Sequence, residues 1–96
     1  MEDLRIILEV AVSDRHDIAA YGFAFDGKPV AMSGGKGVFK AFPDRKKLLE
    51  WVMLGEAGGT MKVEVLRDGV AIYIRDASTI PPPLAKGYDA FLVEVS

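Results

Sequence analysis

Two Asp-Gly pairs constrain this 96-residue chain more than any other feature. Asp26-Gly27 lies between Tyr21-Gly22-Phe23-Ala24-Phe25 and Lys28-Pro29-Val30-Ala31-Met32; Asp68-Gly69 lies between residues 61–67 and 70–76. A two-residue type I′ turn needs positive φ at both central positions, which Asp and Gly supply. Each pair therefore predicts a hairpin with a defined register. The first sets Phe23 opposite Val30 and Tyr21 opposite Met32. The second sets Val65 opposite Ile72 and Val63 opposite Ile74, with Glu64 opposite Tyr73 on the other face. Apolar meets apolar, so the pairing is self-consistent. Pro29 cannot donate to a ladder, which places its strand at an edge or at a bulge.

Both ends of the chain also read as strands. Leu4, Ile6, Leu8, Val10 and Val12 alternate along one face, and Arg5, Ile7, Glu9, Ala11 and Ser13 along the other. Near the other end Phe91, Val93 and Val95 alternate with Ala90, Leu92 and Glu94. Between the hairpins, Pro43-Asp44 looks like a helix start and Gly55 like a helix stop, predicting one α-helix over about 44–54. On a helix Leu48, Leu49, Trp51 and Val52 share a broad face for the sheet. Met53 and Leu54 then point away from it, and only Glu50 is polar between positions 48 and 54. The expected architecture is a single α+β domain over residues 1–96. It has one antiparallel or mixed sheet of five to six strands and one helix packed on a face. Residues 34–42 read as a loop or a short strand after a glycine bulge. Ile80-Pro81-Pro82-Pro83-Leu84 reads as a stiff, extended polyproline II crossover.

Composition narrows the function classes. There is no cysteine, which excludes disulfides, thiol chemistry and cysteine-held metals. A single histidine, His16, excludes a multi-histidine site within one chain. Half the residues are hydrophobic and the formal net charge is -2, so the chain folds and is not a generally basic nucleic-acid coat. No apolar run approaches the ~20 residues of a membrane span, and Met1-Glu2-Asp3-Leu4 lacks the basic start of a secretory signal. A cytoplasmic protein is expected.

The charge is uneven. Between Lys28 and Lys47 stand Lys28, Lys36, Lys40, Arg45, Lys46 and Lys47 against one acid, Asp44. Phe39 and Phe42 are interleaved with them. Lys36, Lys40, Arg45, Lys46 and Lys47 are the candidate anion-binding residues, for a phosphate, a nucleic acid or an acidic partner. Ser33-Gly34-Gly35-Lys36-Gly37 fails the spacing of a phosphate-binding loop and reads as a hairpin end. Ser13-Asp14-Arg15-His16-Asp17 reads as a polar turn between strands. Asp14, His16 and Asp17 are too few for a metal site, and no metal or other cofactor is expected. The order of elements also resembles the start of a ribonuclease H-like domain, with Asp14, Glu50 and Asp76 as the carboxylates of a two-metal hydrolase. However, no aspartate lies within the first strand, and the chain is short for that fold. Trp51 reads as core.

The expected role is that of a non-catalytic protein-interaction domain. A chain of this size buries only ~60–65% of its surface on folding, so self-association helps it. Met53 and Leu54, on the outer side of the predicted helix, are the expected contact residues of a homodimer or small hetero-complex.

Overall fold

A computed structural model describes residues 4–95. These residues form seven strands and no helix. The strands are β1 (Ile6–Phe25), β2 (Lys28–Val30), β3 (Met32–Ser33), β4 (Lys36–Ala41), β5 (Lys46–Arg67), β6 (Val70–Thr79) and β7 (Lys86–Glu94). All pairings are antiparallel, and they join the strands into one sheet. The α+β expectation is therefore overturned: the fold is all-β.

The predicted helix is the first half of β5. Its apparent cap is a turn: Pro43 stands at the second position and Asp44, with φ 62°, at the third. That is the pattern of a type II turn. The Asp44 N–H donates to the Val95 carbonyl (2.8 Å) rather than starting a helix. From Leu49 on, burial alternates strictly: Leu49, Trp51 and Met53 are inside, and Leu48, Val52 and Leu54 outside. Apolar residues on both faces erase the polar mark that separates a period of 2 from one of 3.6.

Two strands organise the molecule. Twenty-two residues of flat strand would extend about 70 Å, yet the longest dimension of the molecule is 49 Å. Both long strands therefore bend. β1 breaks register between Ser13 and Ala20, where Asp14 (φ 48°) and Asp17 (φ 59°) take left-handed conformations typical of bulges. The bulges also flip the inward set from Leu8 and Val10 to Phe23 and Phe25. β5 bends opposite them at residues 55–59. A Cβ on Gly55 would collide with the Asp17 carbonyl oxygen, and one on Gly59 would lie 2.7 Å from it. The bend is held from outside the pair, by Gly58 N–H on the Ile80 carbonyl (2.8 Å) and Gly55 N–H on the Ala85 carbonyl (2.9 Å).

The bends divide the sheet into two halves. In one, β4, the first part of β1, the second part of β5, and β6 lie side by side. In the other, β2, the second part of β1, the first part of β5, and β7 do so. Their inner faces meet in one core. Phe25 packs on Phe39 (4.5 Å between ring centres) and Tyr73 on Phe91 (5.6 Å). Trp51, 1% exposed, donates its indole N–H to Ser78 Oγ on β6 (2.9 Å). Ser78 in turn donates to Asp89 Oδ2 on β7 (2.9 Å), and Arg75 Nε pairs with the same oxygen (3.2 Å).

Both Asp-Gly hairpins are present with positive φ at all four central residues. Phe23 faces Val30 as the turn arithmetic requires, but Met32 leaves β1 and pairs with Gly37 of β4 instead of Tyr21. In the second hairpin Arg67 faces Val70 and Leu66 faces Ala71; a bulge then shifts the ladder, so Val65 faces Tyr73 and Val63 faces Arg75. Residues 34–42 include a third hairpin, turned by Gly34 (φ 60°) and Gly35 (φ 79°), and strand β4. The three prolines are not extended: Leu84 N–H closes a turn on the Pro81 carbonyl (2.9 Å) around a cis Pro82-Pro83 peptide.

Candidate functional site

Strand alternation separates residues that a helix would have gathered. On the first half of β5, Met53 is fully buried in the core and offers nothing to a partner. Leu54, its neighbour, is 49% exposed on the outer face. Leu48 and Val52 share that face, although helical spacing had assigned them to the core. On β7, Leu92 stands opposite Leu48, and Tyr88 opposite Val52, and both are exposed. Thus Leu48, Val52, Leu54, Tyr88 and Leu92 form one apolar ridge across two paired strands.

Beside the ridge runs a trough. Ala20, Gly22 and Ala24 of β1 stand opposite Leu54, Val52 and Glu50. Their small side chains leave a groove of about 310 Å³ bordered by Gly22, Ala24, Val52 and Tyr88. A Cβ on Gly22 would meet nothing within 4 Å. The one carboxylate within this face, Glu50, accepts a hydrogen bond from the Tyr88 hydroxyl (2.7 Å). That bond, with lesser contributions from desolvation and from the charges of Glu50 and Asp89, raises the Tyr88 pKa above the ordinary tyrosine value. The ends of the face are charged: Lys46 pairs with Glu94 (3.7 Å), and Lys86 lies at the start of β7.

The basic stretch does not stay together. Lys36 sits beside the Gly34-Gly35 turn, and Lys46 belongs to the outer face just described. Lys40, Arg45 and Lys47 converge with Lys28 and with Arg5, which is distant in sequence, around a cleft of about 370 Å³. This cleft opens where β2 of one half meets β4 of the other. Asp26 is the one acid on its lining. Sequence reasoning missed Arg5 because only the pairing of β1 with β4 brings it there.

Of the remaining candidates, Glu50 lies on the outer face, and the others lie apart from both surfaces. Asp14, His16 and Asp17 occupy the β1 bulge, exposed. Asp76 is on β6 and Glu50 on the outer face of β5, not on a helix, so the arrangement expected for a ribonuclease H-like site is overturned with the helix itself. Among the described residues, no three His, Cys, Asp or Glu side chains gather as a metal site. Ser78 is 1% exposed with its proton committed to Asp89, which makes it a staple between β6 and β7. No helix of the described residues is long and apolar enough to cross a membrane. Comparison with protein families, curated proteins and solved structures returns no match.

Proposed function

We propose that this chain is a non-catalytic protein-interaction domain that pairs with a second copy of itself through the outer face of β1, β5 and β7. The observation that carries this reading is the ridge of Leu48, Val52, Leu54, Tyr88 and Leu92 left open to solvent. Each contributes roughly 100 Å², together on the order of 500 Å². That is at the upper end of the ~300–600 Å² of the largest apolar patch on a typical monomer.

The shape of the face supports a second copy as the occupant. β5 lies between the β7 part of the ridge and the β1 trough. A twofold axis running along β5 lays Tyr88 of one copy, which is level with Val52 and Gly22, over Gly22 of the other, and does so reciprocally, as an isologous interface requires. Glu50 enters such an interface with its Tyr88 hydrogen bond already made, which lowers the cost of desolvating it. The lack of cysteine fits a reducing compartment, and the cytoplasm is the location that goes with this reading.

Sedimentation velocity across a micromolar concentration series tests it. The chain is expected to sediment as a dimer at the upper concentrations. Leu54→Lys with Leu92→Lys should leave a folded monomer, and Gly22→Leu, whose side chain has room in the monomer, should do the same by filling the trough. A wild-type monomer at all concentrations, or a dimer untouched by these changes, discards the proposal. A dimer that only a different outer surface disrupts discards it too.

A further inference from the structure

The cleft between β2 and β4 shares no lining residue with the outer-face groove, and it combines two features. Its floor is apolar, with Phe25 and Phe39 in ring contact and Val30 beside them. Its rim is basic, with five cationic side chains against Asp26. A volume of about 370 Å³ falls at the lower end of the ~300–1,000 Å³ typical of small-ligand sites. We infer that this cleft binds a small amphipathic anion, with a carboxylate or phosphate head on Lys28, Arg45 and Lys47 and a flat or aliphatic body against Phe39 and Phe42.

Three cations of the rim, Lys28, Arg45 and Lys47, are placed to take such a head. Lys28 and Arg45 have no carboxylate partner among the described residues. Lys47 meets Asp26 at 3.7 Å, with both side chains about half exposed. An open pair of that kind is worth little, and an incoming anion can compete with it. Phe42 is 46% exposed, and the Arg45 guanidinium lies 4.9 Å from its ring centre. A guanidinium held against an aromatic ring keeps N–H groups with which arginine can receive a carboxylate or phosphate on two donors.

The layout favours a compact ligand over a nucleic-acid strand. A strand needs a track of charge along its backbone. Here Lys36 and Lys46 lie outside the cleft, and the chain as a whole is acidic.

Calorimetric titration of the full chain tests the inference, with 1-naphthyl phosphate against neutral 1-naphthol, and decanoate against decanol. At least one anion should bind tenfold or more tightly than its neutral counterpart and weaken as salt is raised. Which anion wins distinguishes a phosphate ligand from a carboxylate. Arg45→Glu should weaken binding at least tenfold. Val38→Trp, a substitution at an exposed lining position, should block it while the thermal midpoint stays near that of the wild type. The Leu54→Lys and Leu92→Lys variant should bind as the wild type does. Equal binding of charged and neutral probes overturns the inference, as does a lack of binding at millimolar concentration. Unchanged affinity in folded Arg45→Glu, or displacement of the naphthyl probe by a single-stranded oligonucleotide at lower concentration, also overturns it.

Discussion

The two halves of β5 have nearly the same inner face and opposite outer ones. Inside, Leu49, Trp51 and Met53 of the first half match Met61, Val63 and Val65 of the second, all buried. Outside, the second half carries Lys62 and Glu64, which form a 4.0 Å ion pair, whereas the first carries Leu48, Val52 and Leu54. A strand with one wet face needs polar residues there, and the second half has them. The first half keeps apolar residues that the monomer does not cover. Burial in the core explains the inner set; the proposed dimer would cover the outer one.

The largest way to break this comparison is to empty the core on either side. Trp51→Ala should cost about 3–5 kcal/mol, because it leaves a cavity between Phe23 and Phe91 and removes the indole that serves Ser78. Met61→Ala in the other half should cost about 2–5 kcal/mol. Urea unfolding should show one transition for both, since the halves share a core; separate transitions would show two independent units.

Next is the bend that divides the halves. Gly55→Ala drives a methyl against the Asp17 carbonyl and should cost about 1–3 kcal/mol. Gly22→Ala, a glycine replacement on the neighbouring strand, has open space and should stay within about 0.5 kcal/mol. The difference in thermal midpoint between the two variants measures how tightly the bulges are seated.

The outer faces themselves come third. Lysine at Leu54 and Leu92 should weaken self-association at least tenfold, about 1.4 kcal/mol. Lysine at exposed Ile74, on the other half, should leave it unchanged. Equal effects at both places in sedimentation would erase the distinction between the halves.

The smallest effect is a titration. Tyr88 should ionise at higher pH than an ordinary tyrosine because its proton is held on Glu50. An ultraviolet titration should lose its highest-pH step in Tyr88→Phe, and Glu50→Gln should move that step downward. The folded state holds this proton more tightly than the unfolded chain. The contribution of Tyr88 to stability is therefore intact below the unfolded tyrosine pKa of about 10 and is lost as pH rises through the folded value.

Local chemistry wrote the hairpins into the chain. Asp-Gly pairs carry their turn geometry with them, and the alternation in Leu8 and Val10 or in Val93 and Val95 carries the strand period, because neither depends on distant residues. The excess of apolar residues between positions 48 and 54, and so the presence of an uncovered greasy surface, was legible as well. Which residues make that surface was not. Leu48 and Val52 fit a helix stripe as well as a strand face, and only pairing with β1 and β7 chose between them. The same pairing sent Lys46 and Lys47 to opposite sides, and the pairing of β1 with β4 brought Arg5 to the cleft that Arg45 lines. Side-chain direction along a strand follows from register, and register across forty residues is set by long-range packing that no local pattern encodes.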